Sequence, residues 1–125
     1  MSTKTRILVV DDDVDIRELL ESILRAHGYE VTRAGSGAAA LDLLRAGLKP
    51  CLVLVDLEMP LMSGGDLAAE MARDEALKDI PVVLTSASRE QLDRFQRSLS
   101  TLEKPFLFER LMEIVREHCS PVTQQ

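Results

Sequence analysis

The feature that most constrains the fold is the segment 51–55, an unbroken apolar run (Cys-Leu-Val-Leu-Val) that ends at Asp56. A strand with one face in solvent alternates apolar and polar residues, whereas a continuous apolar run is typical of a strand covered on both faces. Such strands lie at the centre of parallel sheets packed between helices. The sequence therefore predicts a central strand that carries a carboxylate at its C-terminal end.

The same unit, a short strand followed by an amphipathic helix, recurs along the chain. After the apolar segment 6–10, apolar residues return at helical spacing (Ile16, Leu19, Leu20, Ile23 and Leu24) until His27-Gly28, where glycine suits a helix C-terminal cap. Five alternations of strand and helix predict a parallel sheet with helices on both faces. The predicted strands are 6–10, 29–34, 51–55, 82–85 and 100–102. The helices that follow them are predicted around Ile16–Leu24, Leu41–Leu44, 66–73, Leu92–Phe95 and Phe108–Val115. The inward-facing residues of the third helix are Leu67, Ala68, Met71 and Ala72, and the last helix adds Leu111 and Met112 to its apolar stripe.

Length, charge and hydropathy limit the possible functions. With 125 residues, 46% of them hydrophobic, the chain suits one domain, which we place at 1–120, followed by a polar tail or linker at 121–125. A formal charge of -6 argues against direct nucleic-acid binding, which relies on clustered Lys and Arg. The sequence shows no leader pattern and no apolar run near the roughly 20 residues that span a bilayer. These features predict a cytoplasmic protein with no membrane contact.

The two cysteines, Cys51 and Cys119, lack the C-x-x-C spacing of a metal or redox site. They are also too few for a disulfide-based scaffold. We expect them to be unrelated, with Cys51 acting as a small buried apolar residue.

Polar residues follow four of the predicted strands: Asp11-Asp12, Asp56, Ser86 and Lys104. Because ligands of open parallel sheets bind at the carboxyl ends of the strands, these side chains are expected to converge at one edge. Clustered carboxylates repel one another unless a cation lies among them, and an all-oxygen donor set suits Mg²⁺. Lys104 adds an ammonium group and Ser86 a hydroxyl, both able to bind phosphoryl oxygens. The combination indicates an acyl-phosphate site.

Residues 5–118 resemble the receiver domains of bacterial two-component response regulators, the chemotaxis type among them. The matching motifs are Val-Val-Asp-Asp at Val9–Asp12, Asp56 with Met59-Pro60 behind it, Gly64, Pro81 leading to Ser86-Ala87, and Lys104-Pro105. The resemblance implies an α/β fold, a doubly wound, flavodoxin-like sheet of five parallel strands in the order 2-1-3-4-5 with helices on both faces.

The resemblance also implies the chemistry of each site residue. Asp56 would accept a phosphoryl group from a sensor histidine kinase or a phosphotransfer protein. Asp12, Asp56 and the backbone carbonyl of Glu58 would bind Mg²⁺ directly, and Asp11 would bind it through a water molecule.

Family members respond to phosphorylation through the residues at Ser86 and Lys104, and this response shifts a conformational equilibrium. The resemblance therefore implies a signalling domain, not an enzyme, that assists its own phosphorylation and dephosphorylation. Its downstream partner would be a protein or a covalently linked output domain that binds the face formed by helix 4, strand 5 and helix 5.

The sequence departs from the family pattern at the predicted output face. Receivers commonly carry an aromatic switch residue three positions before the lysine, and here that residue is Thr101. The interval from Ser86 to Lys104 is also shorter than usual by about one helical turn, which predicts a truncated or tilted fourth helix.

Glu58 and Ser88 occupy positions at which the family tunes dephosphorylation. We expect intact phosphorylation chemistry with altered signalling from this face.

Two alternatives remain open at this point. Asp56-Leu57-Glu58 after a strand is similar to haloacid-dehalogenase-type phosphatases, but these carry Asp-x-Asp on the first strand, whereas Asp11 and Asp12 are adjacent. The other alternative is a scaffold that keeps the receiver fold and has lost the switch.

Two residues near the site are predicted to serve structure. Asp13 is expected to cap the first helix, and Gly64 to permit a positive φ angle.

Overall fold

The computed structural model of the protein describes residues 3–97 and 99–122, which form a parallel sheet of five strands in the order β2-β1-β3-β4-β5. The strands are β1 (Arg6–Val10), β2 (Glu30–Ala34), β3 (Leu52–Asp56), β4 (Val82–Ser86) and β5 (Ser100–Glu103). The helices are α1 (Val14–Ala26), α2 (Gly37–Arg45), α3 (Gly64–Ala72), α4 (Arg89–Asp93) and α5 (Phe108–His118), and a short 3₁₀ helix (Thr3–Thr5) precedes β1. The predicted element order, strand order and fold class are confirmed.

The central strand β3 is buried along its whole length. Leu52 and Leu54 pack into the core on one face of the sheet, together with residues of α1 and α5. Val53 and Val55 pack into the core on the other face, with residues of α2 and α3. This two-sided burial explains why the segment contains no polar residue before Asp56.

Some apolar helix residues that the sequence predicted to be buried are exposed in the structure. Leu19 and Phe108 were expected to face inward, but they are 50% and 45% exposed, respectively. Ala72, the last residue of α3, is also exposed, whereas Ile114 of α5 is buried without having been predicted. An apolar residue at the margin of a helical stripe is buried only where a neighbouring element covers it, and helical periodicity alone does not contain that information.

The fourth helix is short, as the sequence predicted, because α4 contains five residues whereas the other α-helices contain nine to thirteen. Leu92 is its buried residue, and Phe95 lies in the turns that lead to β5. A cavity of about 360 Å³ lies between α4, β5 and the start of α5. Thr101 is half-buried in β5 and lines this cavity.

The expectation that the cysteines are unrelated was wrong, since Cys51 and Cys119 form a disulfide with their Cα atoms 5.5 Å apart. Helix α5 runs antiparallel to the strands, so its C-terminal end returns to the edge of the sheet where β3 begins. The residues are separated by 68 positions, and their proximity follows from the tertiary fold alone. Closing a loop of that length stabilises a folded chain by about 4 kcal/mol in the chain-entropy model.

Gly64 serves a purpose other than the one predicted. The described glycines with positive φ are Gly28 and Gly47, so the expectation for Gly64 was wrong. A Cβ atom on Gly64 would lie 2.6 Å from the carbonyl oxygen of Asp56 and 3.0 Å from Cα of Leu57. Glycine is therefore required because the start of α3 packs directly against the backbone at the end of β3.

We predict that Gly64→Ala lowers the free energy of unfolding by at least about 2 kcal/mol, because the new methyl group meets rigid backbone. The matched control is Gly65→Ala in the same helical turn, where the added Cβ meets the tip of the Phe95 ring at 3.0 Å and the ring can move. We expect the control to change stability by less than about 1 kcal/mol. Urea unfolding of both variants measures the difference, and equal losses would contradict this explanation.

Candidate functional site

Three carboxylates meet at the C-terminal edge of the sheet. Asp11 and Asp12 follow β1, and Asp56 is the last residue of the adjacent strand β3. One oxygen atom from each carboxylate can be chosen so that all three lie within 4.8 Å of one another. Asp11 and Asp56 are 2% and 6% exposed, while Asp12 is exposed to solvent. The predicted convergence of the acids is present in the structure.

Lys104 supplies a positive charge to this cluster. Its Nζ atom lies 2.9 Å from Oδ2 of Asp11, to which it donates a hydrogen bond, and 3.5 Å from Oδ1 of Asp56. The backbone N–H of Lys104 donates to the carbonyl oxygen of Ser86 at 2.8 Å, so the end of β5 is held beside the end of β4. One ammonium group therefore contacts two buried carboxylates.

The pKa values of the clustered groups depend on their burial and on the charges of their neighbours. The pKa of Asp56 is raised to about 6, with burial as the largest cause; the negative charge of Asp11 also raises it, while Lys104 and the hydrogen bond from the Glu58 backbone lower it. For Lys104, burial by itself lowers the pKa, but the hydrogen bond and charge of Asp11 together with the charge of Asp56 outweigh it, and the pKa is raised. Three ionised carboxylates and one ammonium leave two negative charges, which a divalent cation would balance.

The donor set fits a hard divalent cation. All three clustered side chains are carboxylates, and oxygen donors with several remaining waters are what Mg²⁺ prefers. The backbone N–H of Glu58 donates to Oδ1 of Asp56 at 3.3 Å, so the loop after β3 turns back over the carboxylate. This brings the backbone of Glu58 next to the acids, where the sequence placed a carbonyl ligand.

Ser86 lies at the same end of the sheet, and its hydroxyl is hydrogen-bonded to the side chain of Glu58. It is fully buried, and its Oγ donates to Oε1 of Glu58 at 2.7 Å. The same Oγ accepts a hydrogen bond from the backbone N–H of Ser88 at 2.9 Å. The hydrogen bond between Ser86 and Glu58 was not predicted, because no local sequence pattern connects the loop after β3 with the end of β4.

The loop between β1 and α1 fixes the position of Asp11. Asp13 caps α1 as predicted, its carboxylate accepting from the N–H groups of Asp15 and Ile16. The N–H of Asp13 in turn donates to Oδ1 of Asp11 at 2.9 Å, and the Arg17 guanidinium donates to the Asp11 carbonyl oxygen at 2.6 Å. Asp11 is thereby oriented from both its side chain and its backbone. Arg17 was not identified from the sequence.

Thr101 lies outside the carboxylate cluster. It pairs with Leu84 across β4 and β5, and it faces the cavity below α4 where Leu92 also lies. A threonine side chain is smaller than an aromatic ring, so it fills less of this space than an aromatic residue at the same position would.

Comparison with known proteins identifies the family of the chain. The response regulator receiver domain family matches residues 7–116, so the chain belongs to that family. It is similar to the transcriptional regulatory protein CpxR homolog of Haemophilus influenzae, with 33% identity over 94% of this chain and 53% of that protein. It is also similar to the DNA-binding response regulator MtrA of Mycobacterium tuberculosis, with 38% identity over 72% of this chain and 38% of that protein. The chain thus spans about half, or less, of the length of these curated relatives.

Solved structures resemble the fold closely. The response regulator TrrA of Thermotoga maritima, solved in complex with Mg²⁺ and BeF, has a TM-score of 0.81 and 36% identity and covers 90% of this chain and 97% of its own. The chain is therefore a receiver domain of the two-component type, and the phosphatase alternative finds no support.

Among the described residues, no helix is both long and apolar enough to cross a membrane.

We predict that Asp12→Asn raises the melting temperature in the absence of Mg²⁺, because it relieves repulsion among the three acids. The same substitution should abolish the stabilisation that Mg²⁺ gives to the native chain, since a ligand that binds the folded state raises its stability by mass action. Thermal unfolding with Mg²⁺ and with a chelator measures both effects. Asp42→Asn, which removes an exposed acid of α2, serves as the control and should keep the full response to Mg²⁺. An unaltered Mg²⁺ response in Asp12→Asn would remove Asp12 from the metal site.

Proposed function

We propose that this domain is a phosphoacceptor switch in which Asp56 receives a phosphoryl group from a sensor histidine kinase or a phosphotransfer protein. The observation that carries the proposal is the environment of Asp56. Its carboxylate is almost fully buried at the end of β3, lies in a cluster with the carboxylates of Asp11 and Asp12, and has Nζ of Lys104 at 3.5 Å.

In this proposal an ionised oxygen of Asp56 attacks the phosphorus of a phosphohistidine in line, and the bond between phosphorus and the imidazole nitrogen breaks. The product is an aspartyl phosphate. A pKa of about 6 leaves Asp56 mainly ionised at neutral pH, so the nucleophile needs no separate base. Asp12, Asp56 and the Glu58 backbone carbonyl would hold Mg²⁺ directly and Asp11 would hold it through water, and the metal would neutralise charge on the transferred group.

Lys104 and Ser86 are the proposed sensing residues. Lys104 already has its ammonium group beside Asp56, where it can bind a phosphoryl oxygen. Ser86 has to exchange Glu58 for a phosphoryl oxygen as its hydrogen-bond acceptor. A group that binds one conformation better shifts the population toward that conformation, so phosphorylation favours the state in which Ser86 has left Glu58.

The proposed output surface is the face formed by α4, β5 and α5, which would bind a partner protein or a linked output domain. The names of the relatives describe transcriptional and DNA-binding regulators, which supports an output in gene regulation. The net charge of -6 favours protein contacts over direct nucleic-acid contact for residues 1–120, with 121–125 as a tail or linker. The short α4 and Thr101 support a relay that differs from the aromatic switch.

We place this signalling domain, which assists its own phosphorylation but turns over no separate substrate, in the cytoplasm.

Phosphorylation of Asp56 is tested by incubating the protein with Mg²⁺ and a small-molecule acyl phosphate. We expect the mass of one phosphoryl group to be added, and expect this addition to vanish in Asp56→Asn and in the presence of a chelator. Asp42→Asn should be phosphorylated like the native chain. Lack of phosphorylation in the native protein would favour the scaffold alternative, and phosphorylation of Asp56→Asn would exclude Asp56 as the acceptor.

The hydrogen bond between Ser86 and Glu58 should oppose activation. We predict that Glu58→Ala increases the affinity for beryllofluoride in the presence of Mg²⁺ about five-fold, because a net hydrogen bond of about 1 kcal/mol no longer holds Ser86. Glu58→Gln keeps an oxygen acceptor and should bind beryllofluoride nearly as the native chain does. Isothermal titration measures these affinities.

A double-mutant cycle separates this hydrogen bond from a simple charge effect. Glu58→Ala should change the affinity little when Ser86 is already alanine, because the interaction is then absent. If Glu58→Gln equals Glu58→Ala, and the effect persists in Ser86→Ala, the negative charge of Glu58 is responsible and the hydrogen bond is not.

A further inference from the structure

The disulfide between Cys51 and Cys119 lies far from the phosphoryl chemistry proposed above. Cys51 directly precedes β3, whose last residue is Asp56. Five residues of extended chain span about 17 Å, so the sulfur atoms and the carboxylates lie at opposite edges of the sheet. Both cysteines belong to the core on the α1 and α5 face, and they are 7% and 4% exposed. The pair is a separate chemical site.

The backbone holds the two cysteines facing each other. The N–H of Cys51 donates to the carbonyl oxygen of Arg6 at 2.8 Å, and the N–H of Cys119 donates to that of Val115, also at 2.8 Å. The Cα separation of 5.5 Å lies within the range in which a disulfide forms without backbone movement. Reduced thiols at these positions would therefore remain within bonding reach.

Two backbone hydrogen bonds hold the residues directly after Cys119. The N–H of Ser120 donates to the carbonyl oxygen of Lys4 at 2.8 Å, and the N–H of Val122 donates to that of Gly28 at 2.7 Å. Residues 120–122, which follow Cys119, are exposed. An exposed segment held by two backbone hydrogen bonds opens at a lower free energy than a central strand does. Both cysteines are buried in the closed structure. Because Cys119 adjoins this segment in the chain, opening of the segment would uncover Cys119 before Cys51.

We propose that Cys51 and Cys119 are a thiol–disulfide modification site that responds to peroxides. Cys119 loses its S–H proton, and the resulting thiolate attacks one oxygen of hydrogen peroxide. The O–O bond breaks, and a sulfenic acid and a hydroxide form; the hydroxide takes up the released proton and becomes one water. The sulfur of Cys51 then displaces the sulfenic oxygen as a second water, and the S–S bond forms. The two thiols lose two electrons and two protons in total, and the peroxide accepts them. A dithiol reverses the reaction through a mixed disulfide.

The consequence of oxidation concerns the end of α5. The disulfide attaches this end to the start of β3, so the oxidised chain has a smaller ensemble of open states there. In a compartment that keeps thiols reduced, a cysteine pair of this kind changes between the dithiol and the disulfide as the redox potential of the compartment changes. In an oxidising compartment the pair is a permanent crosslink. The redox state of the pair would set how often α5 and residues 119–122 open, without any change at Asp56.

Peptide mapping under non-reducing conditions tests whether the bond forms. After treatment of the reduced protein with hydrogen peroxide, we expect a crosslinked peptide pair containing Cys51 and Cys119, which dithiothreitol removes. The oxidised protein should melt on the order of 10 °C above the reduced protein. Cys51→Ala/Cys119→Ala should show no difference between the two conditions. Two alkylatable thiols after peroxide treatment, or crosslinks between molecules in place of the internal one, would overturn the proposal.

The assigned order of reaction has its own test. With an aromatic disulfide reagent, Cys51→Ala, which retains Cys119, should react at least ten-fold faster than Cys119→Ala, which retains Cys51. Hydrogen exchange of residues 113–122 in the native chain should be slower in the oxidised state than in the reduced state. Equal exchange in the two states, or the reverse order of reactivity, contradicts the inference. Because phosphorylation of Asp56 is scored separately by mass, failure here leaves the proposed function unaffected.

Discussion

The contact between Lys104 and the buried carboxylates of Asp11 and Asp56 is the interaction on which the rest of the site depends. Unpaired carboxylates at this level of burial would neutralise themselves by binding protons. The ammonium group limits this tendency without cancelling it, which is why the pKa of Asp56 lies near 6 and not higher. The cluster is thus left with negative charge that a divalent cation would balance, and the carboxylate of Asp56, the proposed phosphoryl acceptor, is mainly ionised at neutral pH.

Such a cluster requires a rigid support, and the sheet provides it. Parallel pairing of β3 with both β1 and β4 fixes the end of β3 laterally, and helices bury both faces. The close approach of Gly64 to the backbone of Asp56 adds a third constraint, because it leaves no space for the end of the strand to shift. The same strand begins next to Cys51, so β3 connects the acidic site with the disulfide at the opposite edge.

The parts of this arrangement that were predictable are those encoded locally. An apolar run, its terminating acid and the spacing of helical stripes are visible within a few residues. From these followed the strands, the parallel sheet with helices on both faces and the convergence of Asp11, Asp12, Asp56 and Lys104, whereas the strand order came from the resemblance to receiver domains. The pairing of Cys51 with Cys119 and that of Ser86 with Glu58 were not predictable in this way, because each joins segments that only the tertiary fold brings together. The exposure of Leu19 and Phe108 was missed for the same reason, since it depends on what lies beside each helix.

The proposed sensing residues are coupled to each other by backbone. The N–H of Lys104 donates to the carbonyl oxygen of Ser86, so a displacement of Ser86 away from Glu58 acts directly on the strand end that carries Lys104. In a receiver with an aromatic switch, a ring filling the space between α4 and β5 would report this displacement. Here that space is a cavity of about 360 Å³ lined by Thr101, and α4 has only five residues. With no ring at Thr101 to move, the proposed relay from Ser86 to the output face would run through β4, β5 and the short α4, whose Arg89 pairs with Glu103 of β5 at 2.9 Å.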